Sequence, residues 1–284
     1  MTARAYDAIC LDLDGTLVTD EGSVLPRNVQ ALRAAQDRGV HVMVVTGRSE
    51  GGVVAVLEEL GLRTPAMVYN GAGVWCPVER RLLEEQLLSN RAVAATLAWA
   101  HETRSLPVVM RAGEKYVPPP RSGEERAAIA RLEDLRIVPA DELPLEYLIR
   151  ITLFSDRWQD SGDYHDAFVD AVGQELYLTH FPLHALAQHR GSAMQVVDVQ
   201  PPCRGKGEAL RWLTEVRGIP AERVVCVGDA GNDVPMLQGA GLGVAMENAF
   251  RSARDAADRV IGSNNSEAIA ELVEELFLDG RAGA

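Results

Sequence analysis

Short apolar runs alternate with stretches whose apolar positions recur every three or four residues, and this alternation organises the first 70 residues. Asp7–Leu13 is expected to form a strand. Arg27–Arg38 is expected to be a helix through Val29, Leu32 and Ala35, closed by Gly39. Val40–Val45 follows as a buried strand, Val53–Leu60 as a helix closed by Gly61, and Ala66–Tyr69 as a third strand. Strands and helices at this spacing argue for βαβ units and a parallel sheet. The pattern returns towards the C-terminus. Gly207–Val216 is expected to be helical, Arg223–Val227 a strand, Val234–Gly239 a helix, Leu242–Ala245 a strand, Ser252–Ala257 a helix and Arg259–Ile261 a strand. Ser266–Phe277 reads as a final amphipathic helix capped by Ser266.

The middle of the chain follows a different rhythm. Val74–Leu88 suggests a charged hairpin or extended link, Arg91–Thr103 a helix, and Pro107–Val117 a hairpin turning at Ala112-Gly113. A helix over Glu124–Leu132, a strand over Tyr147–Phe154, a helix over Asp163–Val172 and a strand over Glu175–Thr179 follow. The economical reading is a second α/β domain, residues 84–191, inserted into a first domain made of residues 1–83 and 192–284. The fold class expected is α/β, with a Rossmann-like parallel-sheet core and an inserted α/β domain.

The chain has 284 residues, a formal charge of −13, 47% hydrophobic and 24% charged residues. That is an ordinary globular composition, and its acidity argues against nucleic acid as a partner. A stretch of about 18 apolar residues and a cationic leader are both missing, so the expectation is a cytoplasmic protein without a membrane partner. Cys10, Cys76, Cys203 and Cys226 form no CxxC pair and read as reduced residues.

Four constellations carry chemistry. Asp12-Leu13-Asp14-Gly15-Thr16 follows the first strand, and residues two apart on a strand face one side. Asp12 and Asp14 can therefore share a site at the carboxyl end of a parallel strand, where open α/β sheets bind ligands. Two close carboxylates repel, which a hard divalent cation relieves. Thr46-Gly47-Arg48 closes the second strand with a hydroxyl and a glycine turn suited to a phosphate. Lys206 precedes a helix, where its charge can neutralise an aspartate and an incoming phosphate. Its surroundings lack the glycine spacing of a Walker loop. Gly228-Asp229-Ala230-Gly231-Asn232-Asp233 follows a buried strand and can aim Asp229 and Asp233 at one point, with Asn232 able to donate to phosphate oxygens.

Together these motifs resemble those of the haloacid dehalogenase superfamily, most closely its Cof-type phosphatase branch, whose α/β cap is inserted between the second and third motifs. Asp12–Leu17, Val44–Arg48, Lys206–Leu210 and Gly228–Leu237 carry the resemblance, and Asn70-Gly71-Ala72 matches a further segment of the branch. The resemblance implies a phosphatase with Asp12 as nucleophile and Asp14 as general acid and then base. It implies Mg2+ held by the Asp12 carboxylate, the Asp14 backbone carbonyl and Asp229, with Asp233 close by. Thr46, Gly47, Lys206 and Asn232 would grip the phosphate, and Arg48 and Asn70 would lie where substrate is contacted. The implied substrate is a small phosphorylated metabolite, with sugar phosphates leading. Pro201–Gly205 and Glu247 depart from the branch pattern without removing a catalytic group.

Three other readings compete. A dehalogenase would not need Asp14 or the pair Asp229 and Asp233. A phosphomutase or phosphotransferase would use the same nucleophile, and a non-catalytic sensor of phosphometabolites would be expected to lack Asp12 or Asp14. His180, His184 and His189 suggest zinc by type, but Pro182 disrupts their helical pairing. They read instead as surface or cap-lining residues.

Overall fold

The computed structural model describes residues 5–186 and 189–278. The chain divides into two compact units: the segments up to Glu84 and from Arg204 form one, and Glu85–Cys203 the other.

The first unit begins with β1 (Ala8–Leu11), α1 (Pro26–Asp37), β2 (His41–Val44), α2 (Gly51–Leu60), β3 (Ala66–Val68), β4 (Gly73–Cys76) and β5 (Arg81–Glu85). The second contains α3 (Asn90–Thr103), β6 (Leu106–Arg111), β7 (Glu114–Val117), α4 (Gly123–Ile129), β8 (Leu135–Ile137), β9 (Arg150–Ser155), α5 (Ser161–Val172), β10 (Tyr177–Pro182) and β11 (Gln195–Gln200). The chain then returns to the first unit with α6 (Glu208–Arg217), β12 (Val224–Gly228), α7 (Val234–Gly239), β13 (Leu242–Met246), α8 (Arg251–Ala256), β14 (Arg259–Ile261) and α9 (Ala268–Val273).

The first unit is built on a parallel sheet of order β14-β13-β12-β1-β2. β1 and β12 are buried on both faces, as expected of near-continuous apolar strands covered by helices. Leu11 pairs with Val227, so the two chains leave the sheet side by side. The third strand differs from expectation. β3 touches the parallel sheet through one bridge, Val45 to Met67, and pairs antiparallel with β4 in a separate sheet of order β3-β4-β5. The turn at Tyr69–Gly71 sends the chain straight back along β3.

Ser266 does not cap the last helix. Its hydroxyl donates to the Ser263 carbonyl, and the Ala270 N–H is taken instead by the Asn28 side chain of α1.

The second unit carries a six-stranded sheet of order β10-β11-β9-β6-β7-β8, antiparallel except at β7–β8. Trp99 of α3 stacks on Tyr164 and meets Phe168 of α5 edge-on, at 5.5 and 5.2 Å between ring centres. They pack with Val109, Ile151, Leu153, Val197 and Val199 of the sheet. The sequence reading ended the inserted segment at 191, yet β11 lies in this sheet and the unit extends to Cys203. Gln195, Asp198 and Gln200 interrupt the apolar run of β11 and hid it, although all its residues are buried. Among the described residues, no helix is long and apolar enough to cross a membrane.

Candidate active site

The parallel sheet places its strand ends together, and the polar residues beyond those ends make the site. Asp12 follows β1 and Asp229 follows β12. The Asp12 N–H donates to the Val227 carbonyl at 3.0 Å, which locks the two exits side by side. Gly15 lies so near Asp229 that a Cβ there would sit 2.4 Å from its Oδ2, and its φ of +80° is left-handed. Only glycine fits this turn.

Asp12, Asp229 and Asp233 each offer a carboxylate oxygen within 4.8 Å of the others, and all three are buried. Lys206 inserts its ammonium between two of them, 2.6 Å from Asp12 Oδ1 and 2.6 Å from Asp233 Oδ1. Asp233 is fixed from its other side, where Oδ2 accepts the N–H groups of Asp229 and Ala230 at 2.9 Å each. The Thr16 hydroxyl donates to Asp229 Oδ1 at 3.0 Å.

The electrostatics follow from this crowding. Burial pushes the Asp12 carboxyl well above the usual carboxylate range against the pull of Lys206, with Asp233, Asp229 and Asp14 adding to the rise. Burial, then the neighbouring Asp233, lifts Asp229 to about 6. For Lys206 burial acts downward, but Asp12 and Asp233 outweigh it and hold the ammonium well above its ordinary value. With all three carboxylates ionised, the one ammonium leaves two negative charges (three minus one) in a buried pocket of oxygen donors, which is the repulsion that, beyond burial, raises Asp12 and Asp229. That donor set fits a hard divalent cation such as magnesium.

Asp14 stands apart from this cluster. Its side chain is half exposed, and both its oxygens accept from Arg48, from Nε at 2.9 Å and from a terminal nitrogen at 2.5 Å. Arg48, expected at the substrate, thus holds the second aspartate. Thr46 is buried and its Oγ1 accepts the Arg48 N–H at 3.1 Å, folding Gly47 into a tight turn. Asn232 donates from Nδ2 to Asn70 Oδ1 at 3.0 Å. The ten residues of the four motifs and the Asn70 segment, Asp12, Asp14, Thr46, Gly47, Arg48, Asn70, Lys206, Asp229, Asn232 and Asp233, all lie in the first unit.

Two supporting residues were missed. Asn248 donates to the Gly15 carbonyl at 2.7 Å and accepts from the Asn264 N–H at 2.9 Å. Its position just past β13 was the available signal, since polar residues beyond parallel strand ends gather at the site. Glu208 accepts the Arg204 N–H at 3.0 Å and braces the turn before Lys206. The histidines lie elsewhere. His180 pairs with the Ser161 hydroxyl at 3.1 Å and faces His165. Among the described residues, neither it nor His184 nor His189 joins a cluster able to hold a metal.

Residues 9–273 match the family model of the haloacid dehalogenase-like hydrolases. The chain belongs to that family. Phosphatase YwpJ of Bacillus subtilis is 28% identical over 286 residues, covering 95% of this chain and 99% of that protein. Pyridoxal phosphate phosphatase YbhA of Escherichia coli is 28% identical over 289 residues, covering 96% and 98%. The solved HAD subclass IIB sugar phosphatase BT4131 shares the fold with a TM-score of 0.78 at 20% identity, covering 95% and 98%. The Cof-type branch read from the motifs stands, and this haloacid dehalogenase-like protein is a phosphoric monoester hydrolase.

Proposed function

We propose that this hydrolase is a cytoplasmic, Mg2+-dependent phosphatase that releases phosphate from a small phosphorylated metabolite through an aspartyl-phosphate on Asp12. The observation that carries the reading is the Lys206 ammonium held between Asp12 and Asp233 beside Asp229. A carboxylate is a weak nucleophile towards an anionic phosphate. It acts only where fixed positive charge offsets the repulsion. Lys206 supplies one such charge. Magnesium, held by Asp12, Asp229, Asp233 and the Asp14 carbonyl, would supply two more and draw charge from the phosphoryl oxygens.

In the first half-reaction an Asp12 oxygen forms a bond to phosphorus while the bond to the leaving oxygen breaks, and Asp14 gives that oxygen a proton. In the second, Asp14 takes a proton from water, the water oxygen bonds to phosphorus, and the Asp12–phosphorus bond breaks to release inorganic phosphate. Arg48 must hand Asp14 over for this to occur, because both Asp14 oxygens accept from its guanidinium. The Thr46 hydroxyl, already accepting from the Arg48 N–H, has its own proton to give a phosphate oxygen. The Gly47 N–H and Asn232 amide would complete the grip.

The inserted unit, Glu85–Cys203, is proposed to select the leaving group, and sugar phosphates remain the leading class. A pyridoxal phosphate phosphatase and a sugar phosphatase among the similar proteins bracket the choice.

The test is phosphate release from a panel of phosphorylated sugars, cofactors and precursors, with magnesium and with chelator, by the parent and by Asp12→Asn. Release that needs magnesium and disappears in Asp12→Asn supports the reading. Release that persists in pure Asp12→Asn protein removes Asp12 as nucleophile. Transfer to a second sugar in place of water would make the protein a phosphomutase or phosphotransferase.

A further inference from the structure

Tyr69 and Asn70 are consecutive non-glycine residues in the left-handed region, with φ of 53° and 50°. Side chains avoid this conformation, and it persists where the surroundings over-determine it, most often at functional sites. Successive backbone N–H groups in a turn can form an anion-binding nest. Here those groups are committed elsewhere. The Tyr69 N–H donates to the Arg48 carbonyl at 2.9 Å and the Asn70 N–H to the Thr46 carbonyl at 3.0 Å. The turn is therefore sewn onto the Thr46–Arg48 loop from both ends.

The Asn70 side chain extends the same stitching. It is 3% exposed. Its Oδ1 accepts from Asn232 Nδ2 at 3.0 Å, on the loop after β12. On its other side it lies against Gly47, where an added Cβ would sit 2.9 Å from that same oxygen. The amide is thus clamped between the two loops that would grip the phosphate. An amide committed to one acceptor through one N–H keeps a second N–H whose direction is then fixed.

We propose that Asn70 is a positioning residue: it holds the Asn232 amide and the Gly47 turn at the spacing a phosphate requires, and acts on the substrate only through them. This rests on the phosphatase reading above but does not follow from it. Asn70 could equally have been a direct substrate contact, as the sequence alone suggested. Its burial and its bond to Asn232 argue for the indirect role.

The test is a double-mutant cycle with inorganic phosphate as probe. Affinity is measured by calorimetry in magnesium, and kcat and KM with 4-nitrophenyl phosphate. Asn70→Gly removes the amide and keeps the left-handed backbone accessible, while Asn70→Ala adds strain to the same deletion. Asn70→Gly should lower phosphate affinity and kcat/KM by about tenfold, the effect of misplacing one charge-assisted donor. In an Asn232→Ala background the same change should cost less than about twofold, since the group it positions is gone. Gly47→Ala should reproduce the loss, yet add none once Asn70→Gly has cleared the space.

Losses that multiply across Asn70 and Asn232 would overturn the inference, as would a Gly47→Ala defect undiminished by Asn70→Gly. Unchanged phosphate affinity in Asn70→Gly would do so as well. Each of these outcomes leaves the phosphatase reading intact, whereas phosphate release by Asp12→Asn strikes that reading and not this cycle.

Discussion

The two units are made of the same α/β material, but their sheets run differently, and that decides where chemistry can gather. In the first unit the strands are parallel, so the ends of β1, β2 and β12 share one edge. Asp12, Thr46 and Asp229 leave the sheet there together, although they are far apart in sequence. In the second unit neighbouring strands mostly alternate in direction. Their polar residues are dealt to both edges and both faces. Arg150, Thr152 and Asp198 meet in mid-sheet, where the Thr152 hydroxyl donates to Asp198 and Arg150 lies 3.6 Å from it. A parallel sheet concentrates function at one edge; an antiparallel one spreads polar contacts over its surface.

The largest effect expected from this contrast lies at the convergent edge. Lys206→Met replaces a fully buried ammonium by a neutral chain of similar length and leaves three buried carboxylates without their shared cation. Turnover should fall about a thousandfold, on the scale of losing a preorganised charge at a reacting phosphate. In chelator the folded state should also lose about 3–5 kcal/mol, the usual cost of deleting one partner from a buried ionic cluster. Denaturant unfolding of parent and variant checks this. A stability within 1 kcal/mol (about the error of such differences) would mean the carboxylates are already neutral without Lys206.

The same contrast explains what was legible beforehand. Asp12 and Asp14, Thr46 to Arg48 and Asp229 to Asp233 sit in short contiguous motifs directly after apolar runs, so a linear reading finds them. Contacts that depend on side-chain reach do not show in that way. Nothing in Thr46-Gly47-Arg48 says that Arg48 will hold Asp14, or that Asn70 will join Asn232. The parallel core was legible because its central strands, β1 and β12, are uniformly apolar. β3 was assigned to the wrong sheet because pairing depends on the turn that follows it, and β11 was missed because buried polar residues break its pattern.

A second prediction concerns the other unit. Trp99 is nearly buried and touches both Tyr164 and Phe168. Trp99→Ala should destabilise the Glu85–Cys203 unit by about 3–5 kcal/mol through the cavity it leaves. Hydrogen exchange should show the loss of protection concentrated in α3, α5 and β9, with β1 and β12 unaffected. The folded fraction should turn over 4-nitrophenyl phosphate at close to the parent's rate, because every group assigned to the chemistry lies in the first unit. Equal loss of protection in β1 and β12 would show that the two units unfold as one.

The smallest effect belongs to the first unit's opposite edge, where His41 opens β2. Its ring lies 6.2 Å from that of Trp212, its Nε2 is buried without a hydrogen-bond partner among the described residues, and the Arg217 guanidinium lies over the indole, 5.1 Å from the ring centre. Burial, and then the Arg217 charge, lowers His41 from the usual 6.5 to about 4. The folded protein therefore keeps His41 neutral between those values while the unfolded chain takes up the proton. Stability from this residue is complete above pH 6.5 and is lost as pH falls towards 4. The shift corresponds to about 2–3 kcal/mol at the acid end once partial solvent access is allowed for. His41→Phe keeps a ring against Trp212 and has nothing to titrate, so the gap between variant and parent should widen in the variant's favour from pH 7 to pH 4. Proton NMR of the His41 ring provides the direct check. A midpoint near 6.5 in the folded protein would mean that the amino edge of the sheet is wet, and that burial alone does not distinguish it from the surface.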